Sequence, residues 1–240
     1  MTHHGLADQR LADVVSANAR AASVLDRYGL DYCCHGHDTV TDAARRAGVP
    51  IDDVVAALEM AGAPAAVVAP LDAGLDALIA HIVEHHHAYV RTQVPVITAW
   101  LDKLVSRHGA RHPELKEIRD TFLALGADLI AHLAKEEHVL FPFIVDLAVA
   151  ARAGRPLPRS PFGTLLNPVR VMNQDHRAVC DLIERLRALT GGYQPPADGC
   201  RTYHLCFAEL AGFDADLSRH VHIEDHVLFP RALDLELALI

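Results

Sequence analysis

One stretch of this chain occurs twice. The run His132-Leu-Ala-Lys-Glu136-Glu-His-Val-Leu-Phe-Pro142 returns 88 positions later as His220-Val-His-Ile-Glu224-Asp-His-Val-Leu-Phe-Pro230. Two single histidines repeat with it: His87 lies 45 positions before His132, and His176 lies 44 before His220. The second half is thus a rough copy of the first, a segment with one His followed by a segment with His-x-x-x-Glu. Two related hairpins about a pseudo-twofold axis follow from such a pattern.

The hydrophobic period identifies the secondary structure of those segments. Apolar positions step by three or four along four runs, the seam of a helix in a bundle. The first run is Val83, His87, Val90, Val94, Ile97, Leu101, Leu104. The second is Ile118, Phe122, Leu125, Leu129, His132, Glu136, Val139, Phe143, and the third is Leu165, Val169, Met172, His176, Val179, Ile183, Leu186. The fourth is Tyr203, Cys206, Leu210, Phe213, Leu217, His220, Glu224, Val227. Breakers fall between them at Gly109 and Pro113, in GRPLPRSP and in TGGYQPPADG, and no strand pattern appears. An all-α, antiparallel four-helix bundle over residues 75–240 is expected. Pro95 should kink the first helix or start it afresh.

The seams are apolar except at His87, His132, Glu136, His176, His220 and Glu224. A charged Glu facing a core is costly unless paired or metal-bound. Residues four apart lie on one helical face, with Cβ atoms about 5–6 Å apart, so each His–Glu pair can reach one small site. A lone seam histidine is usually a satisfied core residue. Four of them in register with a duplicated Glu point to metal. Two carboxylates that each bridge a pair of ions, with two His on each ion, use all six groups. Imidazole plus carboxylate suits iron, manganese or zinc. The remaining histidines, among them His85, His86, His108, His112 and His204, fall off the seams and read as surface residues, and the pair His222 and His226 reads as a solvated face. The 222–226 run is not the zincin motif, because Glu224 is not next to His222.

Residues 1–62 read as a small helical domain. A helix over 11–28 should end at Gly29, with shorter helices over 41–47 and 51–61 and an N-cap at Thr39 or Thr41. Residues 63–74, rich in Ala, Pro and Gly, read as a linker. Between the first two helices lies the loop Asp31-Tyr-Cys33-Cys34-His-Gly-His37. There are five cysteines and no CxxC pair, so a zinc ribbon or thioredoxin-like site is not expected. The cysteines should be free thiols, with Cys180, Cys200 and Cys206 as packing residues. A net charge of −9 argues against a nucleic-acid surface and against an anionic membrane. The N-terminus lacks an apolar signal region and no stretch is long enough to span a bilayer, which favours the cytoplasm.

The doubled HxxxE helices ending in Leu-Phe-Pro resemble a hemerythrin-like di-iron domain. Tyr28-Gly-Leu-Asp-Tyr-Cys33-Cys34-His-Gly36 resembles the signature of the small domain that precedes such a bundle in the repair-of-iron-centres family. Together the matches cover nearly the whole chain. The resemblance implies a hemerythrin-like four-helix bundle that holds two non-haem iron ions, oxo- or hydroxo-bridged. The ligands it implies are His87, His132, Glu136, His176, His220 and Glu224. It implies repair of iron–sulfur clusters damaged by nitrosative or oxidative stress, by iron delivery or nitric oxide removal. Damaged iron–sulfur proteins and nitric oxide or oxygen species would be the partners, and a homodimer is compatible. It also implies that Cys33 and Cys34 act in the reaction. Two other functions fit the same site: reduction of nitric oxide or peroxide, and an oxygen- or iron-binding sensor or storage module. The position four after His176 is Cys180, and four after His87 is Arg91, so the fifth histidine of oxygen carriers is missing and reversible oxygen storage is disfavoured. His35 stands where a Gly is common in the repair family.

Overall fold

The structure is a computed structural model that describes residues 4–18, 20–61 and 73–240. Helices account for its regular structure, and the described residues contain no strand, only an isolated bridge between Arg10 and Thr39. The linker expected over 63–74 lies outside the described residues except for 73 and 74. The chain divides into two compact units, Met1–His81 with Ser218–Ile240, and Ile82–Leu217.

In the first unit, α1 (His4–Ala7), α2 (Leu11–Ala17), α3 (Arg20–Arg27), α4 (Val40–Ala47) and α5 (Ile51–Met60) enclose a core that includes Leu11, Val14, Leu25, Tyr32, Val40 and Val54. The helix expected over 11–28 is broken. Asn18 takes an extended conformation, and its Oδ1 accepts a hydrogen bond from the Arg20 N–H at 3.2 Å. Asn competes with the helix in this way because its side chain mimics a backbone acceptor. Gly29, at φ +66°, turns the chain out of α3, a left-handed conformation that suits glycine. Thr39 caps α4, its hydroxyl accepting from the Asp42 N–H at 3.1 Å. The loop between α3 and α4 is tied to the start of α2 through Leu11 N–H to the Asp38 carbonyl (2.9 Å) and Ala12 N–H to the Gly36 carbonyl (3.1 Å). In the same unit, α6 (Leu75–His81), the end of α11 (Arg201–Ile223), a π-helical turn (Glu224–Leu228) and α12 (Phe229–Ala238) pack with these helices. The π turn contacts both α2 and α6.

The second unit holds a π-helical turn at Ile82–His87, then α7 (Ala88–His108), α8 (Glu114–Lys135), a second π turn (Glu136–Leu140), α9 (Phe141–Arg152), α10 (Leu166–Leu189) and the first part of α11. Helix α8 packs on both α7 and α10. Phe122 meets Phe213 edge-on at 5.4 Å, and Tyr89 stacks on the same ring at 6.2 Å. Arg187 grips Asp214 with two bonds of 2.6 and 2.7 Å, and the Tyr193 hydroxyl donates to the same carboxylate at 2.9 Å. Pro95 does not start a new helix; α7 runs through it.

The π turns explain where the seams depart from a plain three-four step. Phe141 N–H bonds the Glu136 carbonyl and Phe229 N–H bonds the Glu224 carbonyl, each five residues back. The next residue in each copy is Pro142 or Pro230, which has no N–H and cannot accommodate the carbonyl four back. A locally widened turn relieves both demands. The extra residue moves the seam by one: Val139 is 50% exposed and Leu140 is buried in its stead. Likewise Val83 is half-buried while Ile82 is buried. In the second copy Val227 and Leu228 are both buried.

Candidate metal centre

Helical period brings each donor to an inward face, and the π turns set the phase at which the glutamates arrive. Glu136 opens the second π turn and Glu224 opens the third, while His87 closes the first. All six proposed ligands are buried, and both glutamates are 0% exposed.

In the second unit four of them form a connected set. Glu136 stands between two imidazoles, with Oε2 3.4 Å from His87 Nε2 and Oε1 3.3 Å from His132 Nε2. His132 Nε2 lies 3.1 Å from His176 Nε2. The far side of two of these rings is anchored. His87 Nδ1 donates to Glu137 Oε1 at 2.6 Å, and Arg91 Nη2 donates to the same oxygen at 2.8 Å. His132 Nδ1 donates to Asp175 Oδ2 at 3.2 Å, which Lys135 Nζ also reaches at 2.7 Å. Burial pushes the Glu137 and Asp175 carboxyls up, but hydrogen bonds from His87 and Arg91, and from Lys135 and His132, outweigh it and hold both below the ordinary carboxylate range.

This arrangement has a chemical consequence. A neutral imidazole that donates through Nδ1 carries its lone pair on Nε2. The Nε2 lone pairs of His87 and His132 therefore converge with a Glu136 carboxylate in a dry interior. Electron-pair donors so placed repel one another unless a cation sits among them, and a buried carboxylate needs a positive partner. A carboxylate behind a ligating histidine is the usual support of such a site. The donor set thus fits a metal ion.

In the first unit, His220 Nε2 lies 2.9 Å from Glu224 Oε1, the i, i+4 pair of the second copy. The buried pair repeats the His132–Glu136 arrangement on its own helix.

The sequence marks Asp175 as a residue that orients a ligand and Glu137 as a supporting or exposed one, but it does not give their partners. Asp175 is next to His176 in the chain but supports His132, and Glu137 follows Glu136 but supports His87. His86, expected at the surface, is buried with its Nδ1 3.1 Å from Asp216. His222, expected on a solvated face, is 2% exposed, and burial, then the neighbouring His226, lowers its pKa to about 3. His85 and His204 are exposed as expected. No local signal marks which off-seam histidines are covered, because the covering residues are far away in the chain.

The cysteines also differ from expectation. Cys34 and Cys180 each take part in a disulfide, whereas Cys200 and Cys206 are free thiols. Cys206 is a buried packing residue, but Cys200 is exposed. Cys33 is half-buried in a turn built on Asp31, whose Oδ1 accepts from the Cys33 N–H (3.2 Å), the Cys34 N–H (2.9 Å) and the Cys33 thiol (3.2 Å). The two vicinal sulfurs are 3.3 Å apart.

Comparison with known proteins agrees with this geometry. The profile of the hemerythrin HHE cation binding domain matches residues 78–232, and a domain of unknown function (DUF542) matches residues 7–62. Proteins called "Iron-sulfur cluster repair protein YtfE" are similar along most of the chain. One from Pectobacterium atrosepticum is 30% identical, covering 94% of this chain and 97% of the relative. One from Enterobacter sp. (strain 638) is 29% identical over the same shares. "Iron-sulfur cluster repair protein ScdA" of Staphylococcus haemolyticus is 27% identical, covering 91% of this chain and 95% of the relative.

Proposed function

We propose that this chain, which belongs to the hemerythrin HHE cation-binding domain family, repairs iron–sulfur clusters damaged by nitrosative or oxidative stress, using a pair of non-haem iron ions. The family rests on the profile match over 78–232, and the activity on the relatives' names. The observation that carries the metal reading is the burial of Glu136 between the Nε2 atoms of His87 and His132, each imidazole backed by a carboxylate.

In this reading His87, His132, Glu136, His176, His220 and Glu224 would hold the two ions. The duplication supports that set, since each copy supplies one lone His and one His-x-x-x-Glu. When bound, the ions supply reducible metal with open coordination positions. The chain's own residues do the rest. Glu137 and Asp175 fix the tautomer and orientation of His87 and His132. The leucine- and phenylalanine-rich interior, with Leu129, Leu133, Phe141 and Phe213 buried, keeps bulk water out. Cys33 serves as the contact with the damaged cluster or its iron, and Cys34 joins it once a cellular dithiol has reduced its disulfide. We place the small domain over 1–62 and the metal-binding bundle over 75–240, divided near the two family matches, and the protein in the cytoplasm. The described residues contain no helix long and apolar enough to cross a membrane.

The test is anaerobic incubation of the iron-loaded protein with a nitrosylated iron–sulfur client, following cluster recovery and nitrous oxide together. Recovery of the client at wild-type rate, lost in a Cys33→Ser/Cys34→Ser double variant of equal iron content, is the expected result. Nitrous oxide formed without client recovery would favour a nitric oxide reductase instead.

A further inference from the structure

The two copies of the duplicated run are not equally covered. His222 is buried and His226 half-buried, whereas their counterparts Ala134 and His138 in the first copy are exposed. One residue further on, Val227 is buried and Val139 exposed. The proposed ligands do not explain this difference, because they match between the copies. Among the described residues, packing covers these positions of the second copy and not those of the first, and in the first unit the covering element is the loop that carries Cys33.

The contacts are specific. The Tyr32 ring meets His222 edge-on at 5.7 Å, and Ser16 Oγ lies 3.3 Å from His222 Nε2. The His226 ring hydrogen-bonds the Cys33 main chain and faces the His37 ring at 5.8 Å. The two rings, His222 and His226, lie 5.2 Å apart on successive turns of one helix. The loop approaches so closely that no side chain fits at its glycine. A β-carbon on Gly36 would stand 2.9 Å from His226 Nε2, 3.0 Å from the Ala12 methyl and 2.6 Å from the Tyr32 carbonyl oxygen. Gly36 is therefore required here for close approach and not for a left-handed turn.

We infer that His226, with His222 beside it, is a positioning residue of the repair reaction, holding the loop 32–37 and its Cys33 thiol on the π-helical turn that carries Glu224. The inference rests on the reading that Cys33 and Cys34 act in repair. An imidazole is well suited to such a contact, because its face packs on aromatic neighbours while a ring nitrogen bonds the main chain. The loop's other ties are the Asp31 turn, the backbone bonds to α2, the Cys34 disulfide and the Tyr32 contact with His222. Removing the His226 ring therefore loosens the Cys33 end of the loop at the π turn without unfolding it.

The experiment compares iron-loaded wild type with His226→Ala, His226→Gln, His138→Ala as the uncovered counterpart, and Cys33→Ser/Cys34→Ser. Iron content, the visible spectrum, the alkylation rate of Cys33 and the client repair rate are read on each. We expect His226→Ala to keep its iron, to alkylate Cys33 about tenfold faster, as for local opening of a docked segment, and to repair as poorly as the double Ser variant. His226→Gln, which retains a donor, should fall between, and His138→Ala should match wild type. Unchanged alkylation in His226→Ala, or an equal effect of His138→Ala, would overturn the docking. Faster alkylation with undiminished repair overturns the positioning role alone if the double Ser variant is still impaired. If the double Ser variant also repairs normally, the cysteine reading falls with it.

Discussion

The carboxylate behind His87 offers a sharp test of the metal centre. Glu137→Ala removes the acceptor that holds His87 Nδ1 at 2.6 Å, so the ring loses both its fixed tautomer and its orientation. Losing such a partner lowers metal affinity by about 10–100-fold, which is about 1.4–2.7 kcal/mol. The geometry argues for the upper part of that range, since the bond is short and charge-assisted. Asp175→Ala should cost less, nearer tenfold. Its bond to His132 is longer, 3.2 Å, and the same oxygen is shared with Lys135 at 2.7 Å. Stability of the metal-free fold should change by only about 1 kcal/mol, because Glu137 is partly exposed and Arg91 remains solvated when it goes. Competitive chelator titration under anaerobic conditions measures the affinities, with urea unfolding of the metal-free proteins alongside. Arg91→Ala is the control, because it removes a contact to Glu137 and leaves the His87 bond in place. Iron affinity in Glu137→Ala within about twofold of wild type would refute the role given to His87 as a ligand supported from behind.

Other outcomes follow from the same structure. Glu136→Ala and Glu224→Ala should each lose iron, read by metal analysis, while far-UV circular dichroism stays helical, because an apolar side chain suits the buried position and removes an uncompensated charge. Phe122→Ala should cost about 3–5 kcal/mol in the urea unfolding free energy, since the ring is fully buried against Phe213. Thiol alkylation should separate two cysteines of α11 and its start. N–H groups of Tyr203 and Thr202 lower the Cys200 pKa, whereas burial, then Glu209, pushes Cys206 up to about 12. At pH 8 Cys200 therefore holds the larger thiolate fraction and should react first, with Cys206 unmodified in the native protein; the order, read by mass spectrometry, should vanish in denaturant.

The positions of the six proposed ligands were legible in the chain because a helix repeats its inward face every three or four residues. A polar residue on an apolar seam stands out wherever it occurs, and the duplication supplied a second witness for each. The four long helical runs and their breaks were legible for the same local reason. What the period could not carry was its own interruption. A π turn before Pro142 moves burial from Val139 to Leu140, and only the hydrogen bond from Phe141 to Glu136 reveals the added residue. Nor could sequence neighbours name partners: Asp175 adjoins His176 yet holds His132, because adjacent residues on a helix point in directions about 100° apart. The same limit hid His222 and His226. They look like a solvated pair beside Glu224 until residues some two hundred positions earlier, Ser16, Tyr32 and Gly36, are folded against them. Helical period is a property of the local chain, whereas coverage depends on what long-range packing brings to each face.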